Sequence, residues 1–207
     1  MGETTHRPLR LALASLLAVA LAAQYIIGST DAGLTVVNFF SYFTVLSNTA
    51  AVVMLTLLAA RPDRDSSLEF AGFRGAVTVY MGVTGLLYAT VLYPQLADAG
   101  VPEPWIDLST HVVGPILVAA DWIYDRPQVT LPTRTLAIWG IFPAAYVVYS
   151  LVRGSIADWY PYPFLDPAKG GYGAVAIWSL LVLGVILAFS YILYWWCNRR
   201  QTQPVTG

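Results

Sequence analysis

The sequence predicts an all-α integral membrane protein, a bundle of six transmembrane helices with both termini in the cytoplasm. Three observations predict it. The chain is 57% hydrophobic and only 11% charged, which does not describe a water-soluble globule. Six apolar stretches, near residues 9–28, 36–60, 73–93, 106–124, 133–152 and 173–197, match the roughly 20 helical residues needed to cross a bilayer core of about 30 Å. The positive residues are also sorted by loop. Arg7 and Arg10 open the first span, Arg61, Arg64 and Arg74 lie between or at the ends of spans two and three, Arg126 and Arg134 join spans four and five, and Arg199 and Arg200 follow the sixth. The alternate loops hold Arg153 and Lys169 beside Asp31, Asp98, Glu103, Asp158 and Asp166. That bias places the termini inside the cell, in the cell membrane, and supports an even span count.

Residues 1–207 read as a single transmembrane domain, without a soluble domain, low-complexity tract or internal repeat. The first span has a basic start and small residues at 20–23 that imitate a secretory signal. Its apolar run continues through Tyr25, Ile26 and Ile27, so it is expected to be a retained helix. Cys197 has no second cysteine to pair with. It reads as a buried or interfacial thiol, with palmitoylation the alternative.

Missing residue types narrow the chemistry. The histidines are His6 and His111, which leaves paired haem ligands and a His-Glu-x-x-His zinc site unsupplied, so no cofactor and no metal are expected. The sole lysine, Lys169, lies in a loop, away from any Schiff base inside the bundle. Neither a Walker A pattern nor a G-x-S-x-G elbow is present.

Polar residues concentrate in two spans. In the second, NFFSYFTVLSN carries Asn38, Ser41, Thr44, Ser47 and Asn48 at separations that put them on one helical face. Such residues either close helix contacts and bond back to the preceding turn or line a site. The fourth, WIDLSTHVVGPILVAADWIYD, carries Asp107, His111, Asp121 and Asp125, and intramembrane ionisable groups commonly mark a pathway or site. Pro115 removes the hydrogen bond to the His111 carbonyl and is expected to bend the helix there. His111 reads either as a packed core histidine or as a base.

Thr44 lies about eight residues into its span and His111 about five, depths of roughly 12 and 8 Å at ~1.5 Å per residue. Level side chains from two spans can meet, and a neutral imidazole can take the proton from a threonine nucleophile. Asp107, one turn from His111, serves either to orient the ring or to cap the helix. Ser41, Ser47 and Asn48 are candidate oxyanion donors. Asp121 and Asp125 are expected to pair with Arg74 or Arg134 at the helix ends. The loop DWYPYPFLDP presents Trp159, Tyr160, Tyr162 and Phe164, either as an aromatic anchor at the interface or as a lid over a cavity.

FFSYFTVLSN, STHVVGPILVAADW and WYPYPFLD resemble, in that order, signature segments of the androgen-induced-gene family and its bacterial six-helix relatives. The resemblance implies a membrane hydrolase of fatty acid esters of hydroxy fatty acids, with Thr44 as nucleophile and His111 as its partner. The partners it implies are membrane lipids and a lipid ester, with no nucleic acid. The alternative is a non-enzymatic binder or small transporter of lipid or solute using the same polar cavity. Against a through path, span two becomes AAVVMLTLLAA and span four PILVAA, apolar halves that close the pocket from below.

Overall fold

The computed structural model describes residues 3–61, 67–96 and 103–199, which are helical wherever they form regular structure. Among the described residues, six helices are long and apolar enough to cross a membrane. They are α1 (Glu3–Asp31), α2 (Phe43–Ala60), α3 (Leu68–Leu92), α4 (Pro104–Tyr124), α5 (Arg134–Ala157) and α6 (Pro167–Asn198). Arg64, Asp98 and Arg200, counted in the charge sorting, lie outside the described residues.

The second span differs from its expected form as one helix over 36–60. A single turn, Val36–Phe39, is followed by a break at residues 40–42, and α2 starts at Phe43. Side chains compete with the helix here, as short polar residues do. Thr35 Oγ1 accepts the Asn38 N–H at 3.1 Å, and the Ser41 hydroxyl donates to the Val37 carbonyl at 2.7 Å. The Tyr146 phenol from α5 donates to the Ser41 carbonyl at 2.9 Å, taking an acceptor that a continuous helix would use.

Prolines shape three other helices. Pro115 brings a π turn, Ser109–Val113, in which the Gly114 N–H bonds back to the Ser109 carbonyl. A second π turn, Tyr88–Leu92, ends α3 just before Pro94. In α5, Pro143 has no N–H to offer the Trp139 carbonyl, which instead accepts from the Tyr80 phenol at 3.1 Å. α5 runs past its expected end at 152 to Ala157, where Asp158 turns left-handed at φ 49°. α6 starts on an Asp166 cap and Pro167, breaks at Gly171 (φ 73°), and is regular from there, close to the expected start at 173.

Two large apolar clusters, with a smaller one of Leu21, Phe39 and Val45, pack the described bundle. One joins Phe43, Val79, Tyr80, Trp122, Trp139, Tyr146 and Ile186, and the other Leu17, Met54, Leu55, Leu58, Met81 and Val118. Large apolar side chains such as Ile138, Ile156, Leu180 and Ile192 are exposed on the outside, as suits a surface solvated by lipid.

At the end where α1 begins and α6 finishes, a buried ionic network ties three helices. Asp121 accepts from Arg10 Nε and from Arg74 Nη2, each at 2.7 Å, and Asp125 accepts from Arg10. The expected Asp121–Arg74 pair is present, while Arg10, read in the sequence only as a topogenic charge, is the second partner. Cys197 is buried, with its thiol 3.5 Å from the Val129 carbonyl.

Candidate functional site

Because α2 begins at Phe43, Thr44 sits in its first turn, where backbone N–H groups have no intrahelical acceptor. The Thr44 N–H donates to the Tyr162 phenol oxygen at 3.2 Å, and the Thr44 hydroxyl lies 3.3 Å from the same oxygen. Tyr162 therefore satisfies the start of α2 from a loop 118 residues away in sequence.

Thr44 and Tyr162 line a cavity of about 280 Å³ between α2, α3, α5 and α6. Val83, Leu87, Val147, Leu165, Leu183 and Ile186 supply walls that are apolar almost throughout, and Thr84 and Ser179 add hydroxyls. Leu180 and Leu183 line the cavity and are also exposed on the bundle surface, which puts an opening on the side that faces lipid. A narrow apolar space with few convergent polar groups has the form of a site for an aliphatic chain bearing one polar function.

The remaining polar residues of the span are committed to structure. The Ser47 hydroxyl donates to the Thr44 carbonyl at 3.1 Å and meets Thr84 Oγ1 at 3.1 Å. Asn48 Nδ2 donates to the carbonyls of Thr44 (2.9 Å) and Thr110 (3.1 Å), stapling α2 to α4. Ser41 joins Val37 and the Tyr149 phenol, and Asn38 accepts from Arg153. Ser41, Ser47 and Asn48 thus have no uncommitted donor aimed at Thr44, unlike the oxyanion role expected of them.

His111 occupies a second site. Its Nδ1 lies 3.0 Å from Asp107 Oδ1 and its ring stacks on Tyr88 at 4.4 Å, with planes 20° apart. The Tyr88 phenol donates to the other Asp107 oxygen. Asp107 therefore orients His111, while Glu103 occupies the N-cap position of α4. A proton shared between Nδ1 and the carboxylate leaves the lone pair of a neutral ring on Nε2. The two π turns bring this group together, since Tyr88 opens one and His111 lies within the other.

Matching depth does not bring Thr44 and His111 into contact. His111, Asp107 and Thr110 line a separate cavity of about 220 Å³ against Gln24, Ile27 and Gly28 of α1. Asn48 is the link between the two sites, through its bonds to the Thr44 and Thr110 carbonyls.

The 158–167 loop packs onto the first cavity. Tyr162 is buried, stacks on Phe164 at 5.2 Å and meets Tyr42 edge-on at 5.8 Å. Trp159 packs on Tyr42 at 5.6 Å and lies under the Arg153 guanidinium, and Tyr160 covers Gly154. Sequence reasoning missed Tyr88 and the bond from Tyr162 to Thr44. Pro94, six residues after Tyr88, is the signal that locates the first; the second depends on how a loop folds back.

Comparison with curated proteins and with solved structures finds no match. The FAR-17a/AIG1-like protein family matches residues 85–199, more than half of the chain. The matched range runs from the end of α3 through α6, and includes His111 and Tyr162 but not Thr44. The chain belongs to the FAR-17a/AIG1-like family.

Proposed function

We propose that this chain is a lipid-ester hydrolase of the cell membrane, with its termini in the cytoplasm and Thr44 as nucleophile. The observation that carries the reading is the apolar cavity that Thr44 and Tyr162 line together. An acyl chain fills it from the lipid side, its ester carbonyl comes to rest at Thr44, and Tyr162, Phe164, Trp159 and Tyr160 cover the site. The Thr44 oxygen bonds to the carbonyl carbon as its proton passes to His111. The bond between the carbonyl carbon and the alkoxy oxygen then breaks, His111 protonates the departing alkoxide, and water releases the acyl group from Thr44.

This sequence requires His111 and Thr44 to be joined, directly or through water, once the ester binds. Catalytic hydrogen bonds are commonly long before substrate arrives. Asp107 supports the base role by leaving Nε2 as the acceptor nitrogen. The test is hydrolysis of a fatty acid ester of a hydroxy fatty acid by purified wild type, Thr44→Ala and His111→Ala. Turnover is expected in wild type alone. Equal turnover by all three would contradict the roles of both residues.

A second reading, a lipid binder without turnover, is favoured by one observation: the partner of the Thr44 hydroxyl is a phenol, and His111 opens on a different cavity. It predicts that wild type and Thr44→Ala retain the same lipid and hydrolyse nothing.

A further inference from the structure

We propose that the Tyr162 hydroxyl is a catalytic residue that binds the ester carbonyl oxygen while Thr44 attacks. The inference deepens the hydrolase reading and rests on it. The Tyr162 oxygen lies 3.2 Å from the Thr44 nitrogen and 3.3 Å from Thr44 Oγ1. It accepts the Thr44 N–H, so its own single proton is left to point at Oγ1 or past it into the cavity that Tyr162 lines. A carbonyl carbon approached by Oγ1 brings its oxygen into the same space, within the ~2.7–3.1 Å at which a donor stabilises a developing oxyanion.

Ser179 Oγ also lines the cavity without a hydrogen-bond partner among the described residues but, unlike Tyr162, makes no hydrogen bond to Thr44, and the donors nearer Thr44 are occupied. Both Asn48 amide protons go to carbonyls, the Ser47 hydroxyl goes to the Thr44 carbonyl, and the Tyr146 phenol goes to the Ser41 carbonyl. Tyr162 is also held in place before substrate arrives. Pro161 and Pro163 flank it, Phe164 stacks on its ring, and Tyr42 meets it edge-on. Such preorganisation is what makes a hydrogen bond to a developing charge effective. The start of α2 adds its positive dipole end behind the phenol.

Burial pushes the Tyr162 phenol up from its ordinary value, so it stays protonated and acts as a donor, not a base. Through the reaction Tyr162 keeps its proton. The proton lost by Thr44 goes to His111 and then to the leaving alkoxide, and the Tyr162 hydrogen bond shortens as charge gathers on the carbonyl oxygen.

The experiment compares wild type, Tyr162→Phe and Thr44→Ala on 4-nitrophenyl octanoate, with thermal unfolding of each in detergent. Tyr162→Phe keeps the stacked ring, so it is expected to fold, to leave KM nearly unchanged and to lower kcat by about 10²- to 10³-fold. Replacement of Tyr162 by 3,5-difluorotyrosine, a more acidic phenol, is expected to move the alkaline limb of the kcat profile to lower pH. A packing role would not move that limb. An active wild type with undiminished kcat in Tyr162→Phe, or an unmoved limb in the fluorinated protein, overturns this inference alone. An inactive wild type overturns the hydrolase reading and this inference with it.

Discussion

Asn48 shows how a polar residue in a membrane helix can look catalytic and be structural. Its amide supplies two donors to carbonyls on two helices, Thr44 and Thr110, and it is fully buried there. Asn48→Leu is therefore expected to lower stability by about 1–3 kcal/mol, measured by denaturation in detergent. Asp107→Asn tests the neighbouring group. An amide at 107 can present N–H to His111 Nδ1 and turn the lone pair away from Nε2, so hydrolysis should fall steeply with the fold intact. An unchanged rate would show that the Asp107 contact to His111, 3.0 Å in the structure, has no part in turnover. His111 and Asp107 stood out in the sequence as candidates because ionisable groups are rare and costly in such spans, and Thr44 because it lies on a polar face at a matching depth. The contact of Thr44 with Tyr162 was not, since 118 residues separate them and no helical period connects a loop to a helix start.

Elements carry their own lessons. Each π turn ends two residues before a proline, and together they aim Tyr88 and His111 at one another. The expected bend at His111 is realised as this local unwinding, a form that single extra residues in helices commonly take. The break before α2 escaped the sequence reading because residues 36–60 keep a helical period throughout, apolar residues alternating with a polar face at separations of three and four. It arises from hydrogen bonds to Thr35, Ser41 and Tyr146 that only the assembled bundle provides. That break matters to the site, since it exposes the Thr44 N–H. Packing between α3 and α5 relies on Gly75, where a Cβ would lie 2.1 Å from the Trp139 ring, itself bonded through Nε1 to the Gly72 carbonyl at 2.7 Å. Gly75→Ala is expected to cost about 1–3 kcal/mol by displacing that indole. Unchanged thermal unfolding of the variant would contradict the packing described.

At the scale of the whole molecule, six apolar spans and their order were legible from length and composition alone, because bilayer thickness sets both. The way the helices assemble was less so. Arg10, Arg74 and Asp121 join α1, α3 and α4 at one end, and the sequence showed the charges without showing which three would meet. Arg74→Met leaves Asp121 buried with one partner and should destabilise the bundle by about 3–5 kcal/mol, read from its unfolding midpoint. Away from that network, the cavity bounded by α2, α3, α5 and α6 has the Thr44 residue in its largely apolar lining. Hydrolysis through Thr44 requires that its hydroxyl react. Labelling the membrane-embedded protein with an alkyl fluorophosphonate and mapping the adduct by mass spectrometry tests this most directly. The predicted result is a single adduct on Thr44 that a long-chain fatty ester suppresses; an unmodified Thr44, or equal labelling of Thr44→Ala, would contradict it.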